Sequence, residues 1–157
     1  MKKTDTCCFF GSRTLPEKQI EQIVRRLDSE IECLIRRGVT RFISGGTFGF
    51  DMIAASLIIT KKELDNKIEL TLILPSKSQE RAWSQKQQIL FQHLLKEADK
   101  VHILSDAYYD GCVKKRNQYM VNQSDYCICA FVAPWHGAEK IIKYAQQKGV
   151  QIVSVID

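Results

Sequence analysis

With 157 residues, 45% of them hydrophobic and 26% charged, the chain has the make-up of a single domain, residues 1–157, that buries roughly 68–70% of its unfolded surface. Its longest apolar runs are strand-sized, which excludes a membrane-crossing helix. A net charge of +5 favours anionic ligands only weakly, and nucleic acid is not an expected partner.

The lysines of Met1-Lys2-Lys3 precede an apolar run, Cys7 to Phe10, too short for a signal peptide. A cytoplasmic protein is therefore expected. The six cysteines agree. They form no C-x-x-C pair and no Cys/His cluster at zinc spacing, so no metal is expected and reduced, buried thiols are. Cys112 differs in standing near the presumed site, where a reactive thiol is the alternative to a packed one.

Thr6 to Phe10 reads as a first strand, apolar on both faces and ended by Gly11. Ser12 and Thr14 suit a helix cap, and Pro16 suits a first helical turn. The following helix repeats Ile20, Ile23, Val24, Leu27, Ile31, Leu34 and Ile35 on one face and stops at Gly38. Arg41 to Ser44 is the second strand. It runs into Gly45-Gly46-Thr47-Phe48-Gly49-Phe50-Asp51 and a helix of about residues 49–64. Ile68 to Leu74 is the third strand, closed by Pro75. A third helix is expected over Gln79 to Ala98, with Trp83, Ile89, Leu90, Leu94 and Leu95 as its core face. Lys100 to Leu104, Tyr126 to Val132 and Val150 to Ile156 complete six strands, separated by helices of about residues 113–122 and 138–148. Strands alternating with helices, each strand a continuous apolar run, specify an α/β protein: a mostly parallel sheet covered by helices on both faces.

Ligands of such open sheets lie beyond the carboxyl ends of the strands. The polar residues gather there. Gly45, Gly46 and Gly49 suit a phosphate cradle, because a backbone without Cβ can approach a ligand and the helix start offers unpaired N–H groups. The alternative is a tight turn with close helix–strand packing and no ligand. The spacing G-G-x-x-G-x-D is neither a dinucleotide fingerprint nor a Walker loop. Gly11, Ser12 and Arg13 follow the first strand. Arg13 and Arg116 can each bring a bidentate guanidinium to an anion over the turn. Thr47 in the same turn is a candidate for ligand or phosphate contact, and Asp51 and Asn117 are candidates for sugar or base contacts, although Asp51 in a first helical turn also complements the helix dipole by about 0.3–1 kcal/mol. Trp83, Tyr108 and Trp135 are candidates for base stacking or a pocket wall; Trp83 equally suits the core, and the loop aromatics equally suit an interface, which leaves room for a homo-oligomer. Gly137 lies in the last loop. The acids near the strand ends, Asp51, Asp106, Asp110 and Glu139, form no pair, so no catalytic constellation is defined.

Together, Gly11-Ser12-Arg13, the Gly45 to Asp51 stretch, Pro75 with Gln79 and Trp83, Gly111 to Met120, Asp125 and Gly137 resemble YpsA-type proteins. These belong to the SLOG superfamily, alongside DNA-processing protein A and the Lonely guy phosphoribohydrolases. The resemblance spans nearly the whole chain. It implies a Rossmann-like three-layer fold and a pocket for a nucleotide or nucleotide derivative. The hydrolases carry P-G-G-x-G-T-x-x-E in the last loop. With Gly137 and Ala138 set against the motif's G-T, the stretch Pro134-Trp135-His136-Gly137-Ala138-Glu139-Lys140-Ile141 puts Ile141 at the glutamate position, with Glu139 two residues away. Arg116 and Met120 keep the R-x-x-x-M spacing. A nucleotide-binding or sensing domain without an intact catalytic motif is the first expectation, with AMP, ADP-ribose, NAD or a cyclic nucleotide as ligand and no cofactor required. An N-glycosidic hydrolase of nucleoside monophosphates is the second, and single-stranded DNA binding the third.

Overall fold

A computed structural model describes residues 5–77, 80–132 and 138–156. Six strands form one sheet: β1 (Thr6–Gly11), β2 (Arg41–Ser44), β3 (Glu69–Leu74), β4 (Lys100–Ile103), β5 (Tyr126–Ala130) and β6 (Gln151–Ser154). Their order is β4-β3-β2-β1-β5-β6 and every pairing is parallel. The helices between them are α1 (Ile20–Arg36), α2 (Phe50–Leu64), α3 (Gln85–Glu97), α4 (Cys112–Asn122) and α5 (Ala138–Gln147), with a short 3-10 turn at Glu17–Gln19 before α1.

Strand order explains the layers. From β1 the sheet grows outward through β2 and β3 to β4, then returns to add β5 and β6 on the other side of β1. Right-handed crossovers place helices on opposite faces when the direction of growth reverses. Accordingly α1, α2 and α3 pack their buried residues, such as Leu27, Ile58 and Leu94, on one face with Phe9, Phe42 and Leu72. Met120 and Val121 of α4 and Ala145 of α5 pack on the other with Cys8, Phe10 and Ile73. Alternate residues of β1 thus feed both cores, which is why that strand reads as an unbroken apolar run.

Two expectations are corrected. Strands β4 and β6 are not buried on both faces; all of β4 is exposed, because each is an edge with a neighbour on one side only. The third helix begins at Gln85, not Gln79, where a Ser84/Gln87 capping box supplies its first hydrogen bonds. Ile89 and Leu90 face solvent on it, 63% and 38% exposed, and Phe91 and Leu94 carry its core contact. Trp83 precedes the helix and packs edge-on between Phe48 and Phe91, at 5.4 and 5.2 Å. Among the described residues no helix is long and apolar enough to cross a membrane.

The cysteines lie as expected within this packing. All six are free, and all but the half-buried Cys33 are buried. Cys112, the alternative reactive thiol, is 2% exposed at the start of α4.

Candidate functional site

Growth of the sheet reverses between β1 and β5, and a crevice opens where their following loops diverge. A cavity of about 680 Å³ occupies that position. Its wall is built from the end of β1 (Phe10, Gly11, Ser12, Arg13), the glycine turn (Thr47, Asp51), the first turns of α4 (Val113, Lys114, Arg116, Asn117, Gln118), the end of β5 (Phe131, Val132) and α5 (Ala138, Lys140, Ile141, Tyr144). The β1 and β5 loops are tied together at its floor. Ser12 N–H donates to Ala130 O at 2.9 Å, and Val132 N–H donates to Ser12 Oγ at 2.9 Å.

Seven expected site residues meet here: Gly11, Ser12, Arg13, Thr47, Asp51, Arg116 and Asn117. Gly45, Gly46 and Gly49 lie behind the wall. Trp83 and Tyr108 are outside it, Trp83 in its aromatic row and Tyr108 exposed by 64%. Trp135, His136 and Gly137 lie outside the described residues. The apolar wall of Val113, Ile141 and Tyr144 and the cations Lys114 and Lys140 were not singled out from sequence. Their signal was helical spacing: 113 and 117, 114 and 118, and 140 and 144 each repeat at four residues on one helix face.

The glycine turn is filled from within the protein. A Cβ on Gly45 would stand 2.6 Å from Arg116 Nη1 and 3.0 Å from Asp51 Oδ2. A Cβ on Gly49 would stand 2.3 Å from the Arg13 carbonyl oxygen, and its φ of 92° is the left-handed region that favours glycine. These positions are small because two guest segments cross them. The amides are engaged as well. Gly46 N–H donates to Ser44 Oγ at 3.2 Å, Phe50 N–H donates to Ser12 O at 3.2 Å, and the Thr47 amide faces the Asp51 carboxyl. Ser44 Oγ in turn donates to Asp51 O at 2.9 Å.

Arg116, 5% exposed, spans the ends of β2 and β3. Its Nη1 donates to Gly45 O at 3.0 Å and Ile73 O at 3.3 Å, and its Nε donates to Asn117 Oδ1 at 2.8 Å. Arg13 is exposed, and its guanidinium lies 5.6 Å from the centre of the Phe48 ring.

Asp51 is 8% exposed, and its Oδ1 has no hydrogen-bond partner among the described residues. Burial pushes its pKa up from 3.8 to about 7. Arg116, the Thr47 amide and Arg13 pull in the opposite direction without cancelling that effect. Burial likewise pushes Arg116 down, while Asp51 holds it up. The wall therefore combines one buried carboxyl titrating near neutrality, a cationic exposed rim and apolar sides. Among the described residues no group of three His, Cys, Asp or Glu is placed to hold a metal.

The sequence matches a known family. The model of YpsA, described as the YspA SLOG family, covers residues 6–155. The chain belongs to the YpsA SLOG family. A UPF0398 protein of Halalkalibacterium halodurans is 30% identical over 108 residues, 68% of this chain and 57% of that relative. The SPbeta prophage-derived protein YoqJ of Bacillus subtilis is 23% identical over 128 residues, 74% of this chain and 75% of its own. Among solved structures, DNA processing protein A from Streptococcus pneumoniae superposes with a TM-score of 0.66 at 13% identity, covering 96% of this chain and 50% of that one. The Helicobacter pylori protein of the same name, described for its single-stranded DNA binding mode, superposes at 0.62 with 18% identity, covering 96% and 65%. This YpsA-family chain thus spans little over half of the first relative and half to two-thirds of these solved chains, and at such identities the structures support the Rossmann-like fold alone.

Proposed function

We propose that this YpsA-family domain binds a nucleotide or nucleotide derivative in the crevice between β1 and β5, in the cytoplasm and without a cofactor. The observation that carries the reading is the composition of that crevice. Apolar and aromatic sides (Phe10, Val113, Phe131, Ile141, Tyr144) suit a base. The rim cations Arg13, Lys114 and Lys140 suit a phosphate, and a buried carboxyl at the closed end suits a donor on the sugar or base. The volume is that of a small-molecule site, within the range of roughly 300–1,000 Å³.

Calorimetric titration with AMP, ADP-ribose, NAD and cyclic nucleotides tests it. At least one is expected to bind below millimolar, and Arg13→Ala is expected to weaken that binding about tenfold, since a hydrogen bond to a charged group contributes roughly 1.5–3 kcal/mol. If none binds, the reading fails.

N-glycosidic hydrolysis is a second reading, favoured by one observation: Asp51 titrates near neutrality, as a general acid or base must. Against it, Asp51 is the one carboxyl among the described wall residues, Ile141 stands in the wall, and Glu139 is exposed outside it. Free base released from a nucleoside monophosphate, and lost in Asp51→Ala, would establish the activity. The name of the Helicobacter neighbour keeps single-stranded DNA in view. Fluorescence anisotropy with an oligonucleotide at roughly 50 and 200 mM salt decides that case, because phosphate contacts must weaken steeply over this range.

A further inference from the structure

The two ends of the crevice differ in chemistry. At the closed end, the glycine turn has two amides already engaged, Gly46 with Ser44 Oγ and Phe50 with Ser12 O, and a third, that of Thr47, beside the Asp51 carboxyl. The space over Gly45 is taken by the Arg116 guanidinium, whose Nη1 and Nε are bound to protein acceptors. A phosphate there would also meet the Asp51 carboxyl, a repelling neighbour when ionised. What the closed end does offer is an acceptor, the Asp51 carboxyl of the crevice wall, a side chain more than nine-tenths buried whose Oδ1 has no hydrogen-bond partner among the described residues. At the open end stand three exposed cations, Arg13, Lys114 and Lys140.

We infer that the Asp51 carboxyl receives a ribose hydroxyl of the bound nucleotide, and that the phosphate lies on the cationic rim of Arg13, Lys114 and Lys140 rather than in the glycine turn. This rests on the nucleotide reading above and specifies its orientation. The glycine-rich segment then serves to admit Arg116 and the Arg13 backbone, and the carboxyl it supports reads the sugar. A hydroxyl suits this acceptor better than a base amine does. A hydroxyl both donates and accepts, so it can answer the O–H of a protonated carboxyl as well as its acceptor oxygen, whereas an aromatic amine only donates and leaves that O–H without a partner. A 2′,3′-dideoxynucleotide lacks the reading contact, so the site would select ribonucleotides over their dideoxy counterparts.

Calorimetry with the four ribonucleoside monophosphates and their 2′,3′-dideoxy counterparts tests the orientation on the wild-type protein. A ribose contact to a buried carboxyl predicts at least a tenfold preference for the ribonucleotide. Asp51→Ala should reduce that preference to about one. The double variant Lys114→Ala/Lys140→Ala should weaken ribo and dideoxy forms equally and leave their ratio unchanged. Equal wild-type affinity for both sugars overturns the inference while nucleotide binding itself stands. So does a preference for adenine and cytosine over uracil without a sugar preference, because it moves the Asp51 contact to a base amine. Absence of binding by every nucleotide overturns both this inference and the reading beneath it.

Discussion

Asp51 couples the site to stability. Its carboxyl titrates at about 7 in the folded protein against an ordinary 3.8, because burial outweighs the help of Arg116, the Thr47 amide and Arg13. Folding therefore takes up a proton between these values. The resulting stability is full below the unfolded pKa and is lost as pH rises through about 7. Between pH 5 and 8 the wild-type protein should lose roughly 2–3 kcal/mol from this group. Asp51→Asn cannot titrate there and should show a correspondingly flatter profile. Urea unfolding at pH 5, 6, 7 and 8 measures the difference; parallel profiles for the two proteins would show that Asp51 is not the titrating group. The same uncompensated carboxyl is what a ligand donor would satisfy, so the cost to the unliganded fold and the proposed binding contact share one side chain.

At the scale of elements, Arg116 fastens α4 to the carboxyl ends of β2 and β3. A buried guanidinium that donates to Gly45 O and Ile73 O joins segments 71 and 43 residues away. Replacement by methionine retains the side chain's bulk but removes every donor. Arg116→Met should destabilise the fold by about 2–4 kcal/mol, since hydrogen bonds to charged groups are worth about 1.5–3 kcal/mol each and two carbonyls lose their partner. It should also move the titration of Asp51 further up, because Arg116 is the strongest influence holding it down. Denaturant midpoints measured across the same pH series report both effects. An unchanged midpoint would show that these two hydrogen bonds do not hold α4 to the sheet.

For the whole molecule, the thiols give a direct check on packing. Five of the six cysteines are buried, and Cys33 is half-buried on α1. Cys8 and Cys127 face each other across β1 and β5, and their contact together with burial pushes the Cys127 thiol well up. Ellman's reagent should label at most one thiol per chain rapidly in the native state and all six in denaturant. Fast labelling of several native thiols would mean that the β1–β5 seam, which carries the crevice, opens readily.

The order of strands and helices, the parallel sheet and the clustering of polar residues at strand ends were legible in the sequence. They follow from local rules: apolar runs of strand length, the 3.6-residue period of α1, and glycines at its end and in the β2–α2 turn. Sequence could not say which strands are edges. Lys100 to Ile103 and Gln151 to Ser154 look as apolar as central strands, and exposure depends on the neighbours they lack. Nor could it tell a glycine reserved for a ligand from one reserved for the protein. Gly45 and Gly49 read as a cradle until the tertiary structure lays Arg116 and the Arg13 backbone against them. By itself, then, the sequence determined the fold class and the edge of the sheet where the crevice lies. Which groups stand free at that edge was decided only by tertiary structure, because an engaged donor and an open one differ in their distant partners and not in their own residue type.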